Sequence, residues 1–188
     1  MKKIILLVAI GGLTILGANA QNIHLGAKGG INLATLDIEG ADGTINGRTS
    51  FHFGGVVNIE LTEGIGIQPE LLYSAQGANS NVNGFESTIK LDYITVPVLL
   101  DYKILDSFSL HAGPQIGFNI NAETETDDVT IDIPGVETID VALAFGAQYK
   151  LEQGVFFQAR YSLGLTDYVQ GVRSRNNVFA LSVGYFFN

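Results

Sequence analysis

The sequence predicts an all-β protein, an eight-stranded antiparallel transmembrane β-barrel wound as an up-and-down meander. Three observations predict it. Apolar and polar residues alternate with period 2 through eight segments of strand length. The connections between the segments alternate long, short, long, short, long, short, long, as in a chain threaded through a membrane with tight turns on one side. Gly26, Gly30, Gly54, Gly66, Gly113, Gly117, Gly146, Gly164 and Gly184 all fall on the polar face. An eight-stranded barrel has an interior that side chains just fill, so small residues belong inside and the bulky apolar face meets lipid.

The first strand spans 23–33, with Ile23, Leu25, Ile31 and Leu33 opposite His24, Lys28 and Asn32. Residues 35–49, polar and glycine-bearing, read as a loop. Strands two (50–61) and three (65–76) flank the tight turn Thr62-Glu63-Gly64, and 77–87, rich in Asn and Gly, reads as a second loop. In strand four, 88–102, the apolar set shifts from Ile89, Leu91 and Tyr93 to Ile94, Val96, Val98, Leu100 and Tyr102. A one-residue slip of this kind predicts a β-bulge near Tyr93-Ile94. Strand five covers 108–122, and 123–138 reads as the longest loop, with Glu123, Glu125, Asp127, Asp128, Asp132 and Glu137 and no base. Strand six (139–151), the turn 152–154, strand seven (155–167) and a loop at 168–176 lead to the closing strand, 177–187, which is expected to pair with the first and remove both edges.

Aromatic residues form a lower group (Phe108, Phe157, Tyr149, Tyr102, Tyr185, Phe187) and a more diffuse upper one (Phe51, Phe53, Tyr73, Tyr93, Phe118, Tyr161), in keeping with two interfacial belts. Pro69, Pro97 and Pro114 cannot donate to a ladder, and in a closed barrel they predict bulges.

Residues 1–20 read as a cleaved secretory signal: Lys2-Lys3, an apolar run from Ile4 to Leu16, and Ala18-Asn19-Ala20 before the expected cleavage site. Residues 21–188 then form one domain, located in the outer membrane. Without Lys2 and Lys3, 8 bases and 19 acids leave a charge of −11, which argues against nucleic acid as a partner. The absence of cysteine excludes disulfides and thiolate metal sites.

Four segments carry a family resemblance: Ile67-Gln68-Pro69-Glu70-Leu71-Leu72-Tyr73-Ser74, Leu91-Asp92-Tyr93-Ile94-Thr95-Val96-Pro97-Val98-Leu99-Leu100, Ala112-Gly113-Pro114 and Ala159-Arg160-Tyr161-Ser162-Leu163-Gly164-Leu165. The mature chain resembles the PorT-like porin family of small outer-membrane β-barrels. The resemblance implies an eight-stranded barrel inserted by the outer-membrane assembly machinery, which reads a terminal strand ending in an aromatic. Here Phe187 is penultimate and Asn188 last, a small departure from that signal.

For chemistry, strand counting places Lys28, Glu70 and Arg160 inward at about 13–15 Å above the short-turn side, near mid-depth. They are expected to form an ion network plugging the lumen, with Gln68, Gln115 and Gln158 around it, because an unpaired charge is costly there. No catalytic, cofactor or metal residues are assigned. A barrel lipase or acyltransferase would need a Ser, a His and an orienting acid together. His24, His52 and His111 all point inward without an evident serine partner, and no G-x-S-x-G occurs. The acidic 123–137 stretch lacks calcium-loop spacing and reads as a solvated surface. The expected function is a non-enzymatic structural or interaction role in envelope integrity, surface binding or secretion. A narrow porin is the first alternative and a lipid-modifying enzyme the second. Expected partners are outer-membrane lipid, the assembly machinery during insertion, and a protein at the outer loops.

Overall fold

A computed structural model describes residues 23–38, 44–82, 85–126, 129–167 and 174–187. The expected signal segment, 1–20, and the terminal Asn188 lie outside the described residues. The strands are β1 (Ile23–Ile38), β2 (Thr44–Thr62), β3 (Ile65–Val82), β4 (Phe85–Leu105), β5 (Phe108–Thr126), the short β6 (Val129–Asp132), β7 (Ile139–Lys150), β8 (Val155–Gly164) and β9 (Ser174–Phe186). All pairings are antiparallel, and β9 closes on β1 from Gly26↔Phe186 to Ile38↔Ser174. Eight strands make the closed wall, while β6 is an extra strand paired only with the upper end of β5. The all-β, eight-stranded meander barrel of the sequence reading is the fold observed. Closure leaves no backbone edge facing hydrocarbon, where unpaired N–H and C=O groups would be costly.

The faces follow from the alternation. Leu25, Phe53, Leu71, Leu100, Ile116, Phe145, Phe157 and Val183 point outward and are exposed. Their alternates Lys28, His52, Glu70, Gln115, Gln158 and Arg160 are buried inside. On β4 the outward apolar residues run from Ile94 to Ile104, a band of about 25 Å at usual rise and tilt, matching a bilayer's hydrocarbon core.

Two expectations about strand regularity are corrected. An irregularity does lie beside Tyr93, but the inward face of β4 is unbroken through Leu91, Tyr93, Thr95, Pro97, Leu99 and Asp101, all buried, so β4 keeps its phase and does not carry the extra residue. The register shift lies between β4 and β5: Asp92 faces Asn121 and Tyr93 faces Asn119, leaving Ile120 of β5 as the extra residue. What changes along β4 is the character of the lumen. Leu91 and Tyr93 are apolar and inward because they join Leu36 and Ala78 in a small core, against which Ile89, Ala122 and Val136 pack. Tyr93 therefore leaves the outward upper aromatic group. Its remaining members include Phe51, Phe53 and Tyr73, whose ring centroids lie 5.3–6.3 Å apart.

The prolines are accommodated without bulges. Between β3 and β4, pairing stops at Pro69↔Val98 and resumes at Leu72↔Thr95, skipping Pro97. The β2–β3 ladder likewise skips Pro69 between Val56↔Glu70 and Ile59↔Ile67. The β4–β5 ladder skips Pro114 between Pro97↔Gln115 and Leu100↔Ala112. Each interruption leaves the register unchanged, so the missing N–H is absorbed by a local opening of one ladder.

The long loops of the sequence reading are in large part tall hairpins. Residues 44–49, 77–82, 85–87, 123–126, 129–132 and 174–176 are strand. Above the hydrocarbon band β4 continues through Phe85–Asp92, about 20 Å further at strand rise and barrel tilt. The polar Asn, Ser, Thr and Gly residues there hid the strands, because alternation is visible only where one face is apolar.

Several inward glycines are required for a reason beyond lumen volume. A Cβ on Gly54 would lie 2.8 Å from the Leu72 Cα across the ladder, an overlap with backbone that no rotamer change relieves. Replacing Gly54 with Ala should therefore cost about 1–3 kcal/mol, as overpacking does. Urea unfolding in detergent, read by circular dichroism, checks this, and an unchanged midpoint would refute it.

Candidate functional site

The lumen is where β1, β3 and β8 bring their inward charges together. Pairing of β1 with β9 and of β9 with β8 puts Lys28 and Arg160 on neighbouring walls, and β3 brings Glu70 across to both. The Arg160 guanidinium donates in fork geometry to Glu70, at 2.8 Å to Oε2 and 2.6 Å to Oε1. Lys28 Nζ lies 2.8 Å from Glu70 Oε2 and donates to Gln158 Oε1 at 2.7 Å. Gln68 Nε2 donates to Glu70 Oε1 at 2.9 Å, and Arg160 also donates to Gln158 at 2.9 Å. All three charged side chains are at most 4% exposed. Bidentate Arg–carboxylate contact in a dry site is the strongest form of ion pairing that side chains offer. Of the six residues singled out from the sequence, Gln115 alone stands apart: it accepts from Ser162 Oγ at 3.3 Å, away from Glu70.

Below the cluster Gln158 Nε2 donates to His111 Nδ1 at 2.9 Å, and His111 Nε2 donates to Asp101 Oδ1 at 3.1 Å. Asn58 donates to the other Asp101 oxygen at 2.6 Å. At the short-turn mouth Lys103 donates to Glu60 Oε1 at 2.5 Å, with His24 Nε2 3.5 Å from the same oxygen. Val56, Phe156 and Phe186 form an apolar cluster beside these layers. On the side of the tall hairpins Leu36, Ala78, Leu91 and Tyr93 form a small apolar core, and Gln76 accepts from Asn176.

Sequence reading missed one constellation. His52 Nδ1 donates to Asn32 Oδ1 at 2.8 Å, and Ser182 Oγ donates to His52 Nε2 at 2.8 Å. Ser–His–Asn connectivity is that of an activated nucleophile. Ser182 and His52 are 130 positions apart, and only barrel closure brings them together. The adjoining cavity has a volume near 20 Å³, room for a water-sized guest and none for an acyl chain. This arrangement satisfies the buried polar groups of Asn32, His52 and Ser182.

Among the described residues no group of three His, Asp or Glu is placed to hold a metal ion. In the acidic stretch Lys90 pairs with Glu125, and Asp127 and Asp128 lie outside the described residues.

The comparisons agree with this geometry. The neisserial surface protein NspA superposes with a TM-score of 0.63 at 13% identity, over 87% of this chain and 97% of its own. Ail, the attachment invasion locus protein of Yersinia pestis, gives 0.56 at 14% identity, covering 89% of this chain and 100% of its own. CarO2 of Acinetobacter baumannii gives 0.51 at 10% identity, covering 89% and 100%. At such identities the likeness is one of fold. No curated protein sequence matches the chain. Residues 19–170 match the family model described as outer membrane protein beta-barrel domain. The chain is an outer-membrane β-barrel and belongs to that family.

Proposed function

We propose that the barrel is a non-enzymatic membrane anchor with a plugged lumen, whose outer hairpins contact a protein partner. The observation that carries this reading is the Glu70 cluster. Three walls of the lumen are tied through one carboxylate, and an apolar core lies on the side of the outer hairpins. A pore needs polar groups that exchange with water, whereas here they are spent on one another. The role falls within envelope integrity, surface binding or assistance to secretion.

The PorT-like resemblance supports the same reading. Its segments supply Gln68, Glu70 and Arg160 of the cluster and all three strand prolines. The partner's chemistry follows from charge. Ail has been solved with the heparin analogue sucrose octasulfate. In this chain 123–138 carries six acids and no base, so a polyanion is disfavoured and a basic protein surface is the better match.

Planar-bilayer recording of the purified barrel tests the plug. No conductance steps are expected, and steady single-channel steps would replace this reading with a narrow porin. Deleting 123–137 is expected to abolish partner recovery from crosslinked membranes while the heat-modifiable gel mobility persists. Undiminished recovery would move the contact surface elsewhere.

A further inference from the structure

We infer that the lumen holds a binding site for one small monoanion, of halide type, in the cavity between the Glu70 cluster and the His52 layer. Donors and acceptors around this cavity do not balance. Lys28 and Arg160 bring two positive charges against the single carboxylate of Glu70. That carboxylate is saturated: Oε1 accepts from Arg160 and Gln68, and Oε2 from Arg160 and Lys28. A carboxylate offers about four lone-pair sites, so none is left over. Gln158 Oε1 is likewise occupied, accepting from both Lys28 and Arg160. The other nearby buried carboxylate, Asp101, is held by Asn58 and His111 and does not line this cavity.

Donors remain in surplus. The Nε–H of Arg160 is buried with no hydrogen-bond partner among the described residues. Lys28 has a third N–H beyond its contacts to Glu70 and Gln158. Gln115, whose oxygen accepts from Ser162, and Thr95, whose side chain is buried, line the same cavity and carry N–H and O–H groups. The cavity has a volume near 20 Å³. A water placed there could accept from these donors and donate to the amide and hydroxyl oxygens of the lining, but it would leave the charge of the cluster unbalanced. A halide needs donors alone, and its charge balances the extra cation that the cluster leaves buried.

The test uses the full mature chain in detergent, unfolded with urea in sodium chloride or sodium gluconate at equal ionic strength. Gluconate is too large for the cavity, so the comparison separates site binding from screening. Chloride should raise the unfolding midpoint, with the folded-to-unfolded ratio growing up to tenfold per tenfold rise in chloride once the site is saturated. Gln115→Leu and Thr95→Val leave the ion cluster intact and should flatten that dependence. Bromide-soaked crystals should show an anomalous peak beside Arg160 Nε. Equal midpoints in the two salts, or bromide on the outer surface only, would overturn the site and leave a water there instead. Neither outcome bears on conductance, so a failure here is distinguishable from a failure of the plug.

Discussion

Replacing Glu70 with Ala is expected to destabilise the folded barrel by about 3–5 kcal/mol, the usual result of removing one partner from a buried ion pair. The side chain is completely buried and receives four donors from three residues. Without it Lys28 and Arg160 face each other across the lumen, each short of an acceptor. Charge repulsion and lost solvation then act together. The chain contains no Trp, so unfolding in detergent is best followed by circular dichroism or by mobility on unboiled gels. Arg160→Ala should also lower the midpoint, and the double variant should lose less than the two singles together, because the second change removes one of the stranded cations. An unchanged midpoint for Glu70→Ala would show that the cluster is ornamental. Additive single effects would show that Glu70 and Arg160 do not act as a pair.

The cluster was legible in the sequence because depth can be counted along a strand. Lys28, Glu70 and Arg160 fall at similar distances from their short turns, and each sits on the polar face. The same counting cannot rotate strands around the barrel axis, so it could not give the Ser182–His52–Asn32 contact or place Gln115 away from Glu70. Leu91 and Tyr93 misled for a different reason. Alternation was read as apolar outside and polar inside, which holds only within the hydrocarbon band. Above it both faces of β4 meet water or protein, and an inward leucine builds a core as it would in a soluble domain. Most of the outer hairpins were missed for the complementary reason: 44–49, 77–82 and 174–176 are largely polar on both faces, so the strand period carries little hydropathy signal, while β6 alternates Val129 and Ile131 with Thr130 and Asp132 but is only four residues long. Proline spacing signalled irregularity correctly but not its form, since an opened ladder and a bulge need the same residue.

Replacing Phe156 with Ala should cost about 3–5 kcal/mol, whereas the same change at the next residue, Phe157, should cost about 1 kcal/mol or less. The two rings leave β8 on opposite faces. Phe156 is fully buried in the lumen, its ring centroid 4.7 Å from that of Phe186, with Val56 completing the cluster. It also lies against Gly184, where an added Cβ would come 2.6 Å from the ring Cε1 and closer still to Cζ, so the glycine and the phenylalanine fit each other. Truncation leaves a cavity walled by ladder-bound strands that cannot collapse into it. Phe157 is 51% exposed on the outer face. There a lipid chain takes the place of the lost ring, since acyl tails are as apolar as the side chain removed. The pair of variants therefore measures which side of one strand is protein and which is bilayer. Equal losses, or a greater loss at Phe157, would mean that the apolar face packs against protein, and the barrel's orientation in the membrane would have to be argued again.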